Sequence, residues 1–433
     1  MSKTVAAHTL GCKTNSYDTS AMLRLFKERG YSEVDFDDRA DVYIINTCTV
    51  TSSGDKKSRQ MIRRARAKNP NAVIVAAGCY AQIAPDEVSA ISGVNVTLGV
   101  NDKNSVVDAV ENYKNGSVTR VVSDVWSKTP AYERLCAASF GERTRAFLKV
   151  EDGCSQFCAY CAVPRARGPA RSRPLKDALA EAKDMVRNGF NEIVITGIHL
   201  ASYGKDLTDE DLISLLRGIH DIDGVKRVRL GSLEPTSADD RFVRALEKMP
   251  KICRHFHLSL QSGCADTLKR MNRRYTPNQF ENAVTRLKRA FPNAAVTADV
   301  IVGFPGETDE HFRQSLAFVE RLKISRLHVF PFSARKGTPA AVMPDQQPDY
   351  VKKERHIRMT ELGKALRREY VETTLLGEKT KVLFEKNIRG LWEGYTENYV
   401  RVVAPGENLN NRMANVFITG TDGDTAFGVI SYS

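Results

Sequence analysis

The sequence predicts an α/β protein in three parts: a parallel α/β domain over residues 1–142, a partial (β/α)6 barrel over 143–370, and a small β-barrel over 371–433. Three observations predict it. The chain has 433 residues, too many for one ordinary core. Strand-like runs alternate with helical patterns through the first two parts, as parallel sheets with crossover helices require. The last part is short and strand-rich, with turn residues between its runs.

In the first part, VAAHTL ends near Leu10, VYIINT at Thr47, VIVAAG at Gly78 and VNVTLG at Gly99. Helical patterns follow from about Ser16 to Arg29, from about Asp55 to Lys68, from Pro85 and from Asp102. Cys12, Cys48 and Cys79 each fall one or two residues past a strand end. In open α/β sheets those loops form the ligand site. One such cysteine reads as a small buried apolar residue; three in equivalent places predict a shared metal site.

The second part carries six strand-like runs: AFLKV, EIVITG, RVRLGS, FHLSLQ, VTADVIVG and RLHVFPF. Helical patterns lie between them, such as Leu175 to Arg187, Asp239 to Lys248 and Pro277 to Arg289. Six βα units predict a barrel open on one side. Asp152, His199, Glu234, Gln261 and Gly303 follow the strand ends, on the face where barrels place their chemistry. The third part reads as strands in EKTKVLFEK, GYTENYVRVVA and MANVFITG, and linkers are expected near Lys128–Arg143 and near Val371.

Composition narrows the class. The hydrophobic fraction is 42% and the charged fraction 27%, both ordinary for a globular protein. No apolar run approaches the ~18 residues of a membrane span, and MSKTVAAHTLGCK has no signal-peptide core. A reducing cytoplasm is therefore expected, where nine cysteines point to metal or catalysis rather than disulfides. The net charge of +12 divides as +2 over 1–142, +12 over 143–370 and −2 over 371–433. A basic field attracts polyanions such as nucleic acid; plain solubility is the alternative.

The central chemistry is EDGCSQFCAYC, where Cys154, Cys158 and Cys161 stand in Cys-x3-Cys-x2-Cys spacing at the end of the first barrel strand. Three thiolates on one short loop can each hold one iron of a cubane and leave the fourth open. A structural zinc site wants four ligands, typically in two short pairs. Cys253, His257 and Cys264 do not supply that second pair, and Cys136, Cys253 and Cys264 read as ordinary small residues.

TLGCKTN at 9–15, NTC at 46–48, AAGCYAQ at 76–82, CSQFCAYC, TGIHLASYG at 196–204, LSLQSGC at 258–264 and VGFPGET at 302–308 together resemble the radical S-adenosylmethionine methylthiotransferase family. The chain is most similar to the tRNA threonylcarbamoyladenosine methylthiotransferases. The resemblance implies a central radical barrel, a C-terminal TRAM barrel, two 4Fe-4S clusters and S-adenosylmethionine. Cys154, Cys158 and Cys161 would hold the cluster that binds S-adenosylmethionine, and Cys12, Cys48 and Cys79 an auxiliary cluster carrying the incoming sulfur. Tyr160, Glu234, Gln261 and Gly303 would line the S-adenosylmethionine site. The product would be a methylthio group on carbon 2 of adenosine 37 in the anticodon stem-loop of tRNA, with separate electron and sulfur donors as partners and no membrane. That carbon has neither an acidic proton nor a leaving group, so cofactor radical chemistry is what opens it.

Two alternatives share the motifs: the same chemistry on isopentenyladenosine in tRNA, or on an aspartate of a ribosomal protein. A strongly basic ribosomal protein would be repelled by a +12 barrel. A non-catalytic iron–sulfur RNA-binding scaffold is the third class. Thr14, Ser16 and Arg165 depart from the commoner family residues, and the acidic C-terminal part departs from a basic RNA-binding TRAM barrel. The charge distribution instead predicts that the central barrel carries most tRNA affinity. Arg165, Arg167, Arg171 and Arg173 would lie near the reacting nucleotide, with Trp392 or Tyr395 available for stacking.

Overall fold

Residues 2–114, 117–127, 131–137 and 144–431 are described by a computed structural model. The boundary at 142/143 and most of the expected linker at 128–143 lie outside the described residues.

The apolar runs of the first part form a six-stranded parallel sheet. Its order is Ser32–Glu33, Thr4–Thr9, Val42–Thr47, Val73–Gly78, Val96–Leu98 and Thr119–Val121. The two edge strands have too few apolar residues to be read from the sequence. Alternate residues feed opposite faces. Val5, Ile44, Val75 and Leu98 pack with Met22 and Phe26 of helix Lys13–Glu28. Ala6, Tyr43, Ile45 and Ile74 pack with Ile62 and Ala65 of helix Ser52–Lys68. Helices on both faces explain the near-continuous hydrophobic runs.

The second part folds as expected into six parallel strands in chain order. Arg145–Lys149, Glu192–Thr196 and Arg227–Leu230 form one arc. Ser232–Leu233 continues the third strand past Gly231 into a second arc with His255–Gln261, Ala295–Val302 and Arg326–Pro331. Among the described residues, the first strand pairs only with the second and the last only with the fifth, so the barrel stays open. Phe256, Leu258, Val296 and Val300 face helices Pro277–Ala290 and Asp309–Leu322 in the main core.

The C-terminal strands Lys379–Ile388, Leu391–Thr396, Arg401–Pro405, Thr425–Ile430 and Met413–Asp422 close into a barrel. The junction near Val371 is not a linker. Helix Asp349–Leu375 runs straight through it, with Met359 and Leu366 in the central core and Val371 and Leu375 in the C-terminal core. One continuous helix thus fixes the two barrels to each other. Among the described residues no helix is long and apolar enough to cross a membrane.

Candidate active site

Both cysteine triplets come together, and on neighbouring surfaces. Cys12 immediately precedes helix Lys13–Glu28, Cys48 directly follows strand Val42–Thr47, and Cys79 opens the short helix Cys79–Ile83. Two glycines make the approach possible. At Gly11, φ is +100° and a Cβ would stand 2.9 Å from the Cys48 sulfur; at Gly78, φ is +95° and a Cβ would stand 2.3 Å from Asn46 Oδ1. Asn15 binds the loops together, its amide donating to Leu10 O at 2.7 Å and Thr47 O at 3.0 Å. The three thiols act on one another electrostatically: burial, then Cys79, pushes the Cys48 thiol up to about 12, and burial also raises Cys79.

Cys154, Cys158 and Cys161 sit on the loop after Glu151–Asp152. Ala159 N donates to Met271 O at 2.9 Å and Asn272 Nδ2 to Phe157 O at 2.9 Å, so the segment after helix Ala265–Arg270 holds the loop. Burial pushes the Cys154 and Cys161 thiols up to about 12. Clusters held here would need thiolates, so their assembly would release protons.

The donor sets fit iron–sulfur clusters. Each is three sulfurs, the soft ligand such clusters select. Ligands of one tetrahedral zinc, ~2.0–2.3 Å from the metal, would lie within about 4 Å of one another. Among the described residues, neither triplet brings all its ligand atoms within 4.8 Å; only Cys264, Asp266 and His311 do so. The triplets are spread wider than one ion needs.

Each triplet has a buried guanidinium against one sulfur. Arg273 Nη1 donates to Cys158 Sγ at 3.0 Å and Nη2 to Glu234 Oε1 at 3.4 Å. Arg167 Nε donates to Cys79 Sγ at 3.3 Å, Nη1 to Asp152 at 2.8 and 2.9 Å, and Nη2 to Asn15 Oδ1 at 2.6 Å and Asp18 Oδ2 at 3.3 Å. Arg167 is 0% exposed. It therefore spans from the strand end before Cys154 to a thiol of the other triplet. Lys149 Nζ joins it, 2.8 Å from Asp18 and 2.6 Å from Asp152. Burial alone would raise both carboxyls, but buried Lys103, 3.7 Å from Asp18, with Lys149 and Arg167 outweighs it and holds Asp18 and Asp152 below the usual carboxylate range.

This arrangement corrects the expectation that Arg165, Arg167, Arg171 and Arg173 contact RNA. Arg167, Arg171 and Arg173 are 0%, 4% and 5% exposed. Arg171 donates to Arg167 O, Pro169 O and Asn101, and Arg173 pairs with Glu181. Only Arg165 remains exposed, donating to Lys336 O at 2.7 Å. Tyr395, offered for stacking, is likewise taken, as is its neighbour Tyr399. Arg145 lies 4.8 Å over the Tyr395 ring, and Arg229 lies 4.5 Å over Tyr399. Trp392 Nε1 donates to Gly406 O.

The other candidates stand at the strand ends. Tyr160 packs edge-on against Phe304 with centroids 6.4 Å apart. Glu234 meets Arg273 and His199 Nε2, the latter at 3.3 Å. Gln261 has φ +64° after a register shift, and the Gly303 amide donates to Glu307. Sequence reasoning missed Asn15, Asp18 and Arg273 as partners of the cysteines. Asn15 was within reach, lying three residues past Cys12; Arg273 carries no local signal. It also missed an exposed stacked pair, Trp126 on Phe157, centroids 5.6 Å apart at the edge of the cysteine loop.

The radical SAM superfamily model matches residues 148–319, and the model of the uncharacterized protein family UPF0004 matches 4–99. The threonylcarbamoyladenosine tRNA methylthiotransferase of Bacillus subtilis is 44% identical over 422 residues, covering 96% of this chain and 93% of the relative. The enzyme of the same name from Thermotoga maritima is 40% identical, covering 99% and 96%. The tRNA-2-methylthio-N(6)-dimethylallyladenosine synthase of Acetivibrio thermocellus is 34% identical, covering 88% and 81%. Among solved structures, the radical S-adenosylmethionine methyltransferase TsrM from Kitasatospora setae superposes with TM-score 0.58 at 17% identity, over 79% of this chain and 77% of that one. That likeness concerns the fold. The fold and its loop of three cysteines define a radical S-adenosylmethionine enzyme. The chain belongs, more narrowly, to the tRNA methylthiotransferase family.

Proposed function

We propose that this enzyme methylthiolates carbon 2 of N6-threonylcarbamoyladenosine at position 37 of tRNA. The observation that carries the reading is the pair of three-cysteine sites facing each other across buried Arg167. One triplet would serve radical generation; a second one beside it gives a sulfur carrier within reach of the same substrate. In this reading Cys154, Cys158 and Cys161 hold the cluster that binds S-adenosylmethionine, with Tyr160, Glu234, Gln261 and Gly303 around it, and Cys12, Cys48 and Cys79 hold the auxiliary cluster. When bound, the first cluster supplies the electron that cleaves S-adenosylmethionine to a 5′-deoxyadenosyl radical.

The protein's own residues seat both clusters and bring the nucleotide between them. Residues 1–142 act as the methylthiotransferase domain, 143–370 as the radical domain and 371–433 as the TRAM domain. The stacked pair Trp126 and Phe157 offers a surface for an anticodon-loop base. Lys56, Lys57 and Arg63, exposed on helix Ser52–Lys68, offer phosphate contacts. The enzyme works in the cytoplasm with an electron donor and a sulfur donor. Deleting the gene should remove the methylthio mark from threonylcarbamoyladenosine in tRNA digests read by mass spectrometry, and leave threonylcarbamoyladenosine in its place. A digest that loses the methylthio mark from dimethylallyladenosine instead would assign the other substrate.

A further inference from the structure

A groove runs along the free edge of the last barrel strand. Among the described residues, strand Arg326–Pro331 pairs only with Ala295–Val302, so its outer edge is open. Helix Asp349–Leu375 forms one wall, and the turn between strands Met413–Asp422 and Thr425–Ile430 lines the end beside the C-terminal barrel. This part has a volume of about 620 Å³. Two of its lining residues, Phe330 and His356, also line a second hollow of about 740 Å³ that reaches Thr51 and Ser53, just past Cys48. The two hollows make one channel from the auxiliary cysteine loop to the C-terminal barrel.

The lining is basic and short of partners. Arg326, Lys364, Arg367 and Arg368 line it, and among the described residues none has a carboxylate within ion-pair distance. Its own carboxylates are Asp422 and Asp424, both exposed on the turn, and Asp424 takes the Thr425 hydroxyl at 3.2 Å. Arg367 forms the floor, at 5% exposed. Of its donors only Nη2 is engaged among the described residues, on Tyr399 O at 3.2 Å, and Nε is buried without a partner. Thr360 Oγ1 and His356 Nδ1 are also buried without partners, and both residues share a helix face with Arg367. Burial, and then the charge of Arg326, lowers the Arg367 guanidinium to about 10; the charge of Asp424 offsets this only in part.

Buried polar groups without partners are costly, and an anion in the groove would satisfy them. A chain of phosphates fits better than a single ion. Further along the channel Lys353 is exposed, while Lys352 is held by Asp349 at 2.7 Å. Between the two hollows Phe330, 45% exposed, offers a ring face on which a base can stack. The exposed Lys364 and Arg368 draw a phosphate from a distance; Arg367, too deep to add to the outer field, holds it on contact. We propose that this channel binds the phosphate backbone of the anticodon arm of tRNA, with one phosphate on Arg367 between the two barrels. The inference rests on the tRNA reading above. It gives the C-terminal barrel, at net charge −2, a part that needs no positive charge. The helix that joins the barrels supplies the cations, and the C-terminal turn supplies the wall.

The test uses the full-length, anaerobically reconstituted enzyme and a synthetic anticodon stem-loop carrying threonylcarbamoyladenosine. Binding is titrated at several salt concentrations, with iron content measured alongside. Loss of a hydrogen bond to a charged group predicts that R367M binds about tenfold more weakly, with a salt slope shallower by about 1. R367K should keep most of that slope, and K364Q/R368Q should lose up to about 2. R289Q removes an exposed cation that does not line the groove, and should match the wild type. Stem-loops with a single neutral methylphosphonate locate the contact: at one position the neutral linkage should weaken the wild type about tenfold and leave R367M unchanged. Should R367M fail to load iron, K364Q/R368Q against R289Q carries the comparison. Wild-type affinity and slope in R367M and K364Q/R368Q overturn the groove as the phosphate site, as do methylphosphonate effects that are the same in wild type and R367M at every position. A wild type that does not bind the stem-loop at all overturns the tRNA reading itself.

Discussion

The central cysteine site is written on one loop, whereas the auxiliary site is assembled from three. Cys154, Cys158 and Cys161 keep their spacing as long as the turn between Asp152 and Val163 exists. Cys12, Cys48 and Cys79 meet only if three parallel strands hold register, with Asn46 beside Thr9 and Gly78 beside Thr47. The second site therefore borrows its geometry from tertiary structure. Arg167 is part of that loan, since it leaves the central loop region to bond Cys79 and Asn15. A local site should tolerate loosening of the fold, and a distributed one should not.

The largest expected effect comes from removing the local site. Replacing Cys154, Cys158 and Cys161 with alanine should abolish S-adenosylmethionine cleavage and leave about half of the roughly eight irons of two cubanes. Iron and 5′-deoxyadenosine assays read this directly, and loss of all the iron would mean the two sites are not independent. Next comes Arg167→Met. It takes one cation from Asp18 and Asp152 and leaves Lys149 on both, so the loss should stay below the ~3–5 kcal/mol of breaking a buried pair outright. Thermal unfolding should register that loss. Iron from the auxiliary site should leave on desalting before iron from the central one, and Arg167→Lys should recover part of both. Equal loss from the two sites would erase the contrast between local and distributed construction.

A further effect concerns pH. Burial raises the Glu151 carboxyl to about 8, while its amide partners His199 and Ile198 pull the other way. The folded form thus holds a proton that the unfolded chain releases near 4.5. The stabilising contribution is full below about 4.5 and is lost as pH rises toward 8, at no more than ~1.4 kcal/mol per unit. Glu151→Gln should flatten that part of the stability curve and gain on the wild type by pH 8. A variant that follows the wild-type curve would show that Glu151 is ionised in the fold.

Much of this was legible in the sequence, and the failures share a cause. All six barrel strands appear where alternating and continuous apolar runs predicted them, and helix Leu175–Arg187 matches its expected ends. The three-loop site was legible too, because strand ends fix where βα loops gather. What stayed hidden were polar partners distant in sequence. Arg167 reads as one more cation in PRARGPARSRP until Asp18, over a hundred residues earlier, is seen against it. The same blindness affects net charge. Of the excess positive charge in the central part, Arg167, Arg171, Arg173, Arg227, Arg229, Arg355 and Arg367 are buried, so they supply little of the surface field that phosphates would feel. The helix Asp349–Leu375 was missed because its polarity gives it no single apolar stripe; it packs two different cores with two different stretches.

The central claim is that the two cysteine sites do different work. It is tested most directly by one reaction with the Cys12, Cys48 and Cys79 triple-alanine enzyme, given S-adenosylmethionine, a reductant and threonylcarbamoyladenosine-bearing tRNA. The account predicts 5′-deoxyadenosine without any methylthio nucleoside, because radical generation needs only the local site. Methylthio product from that enzyme would contradict it.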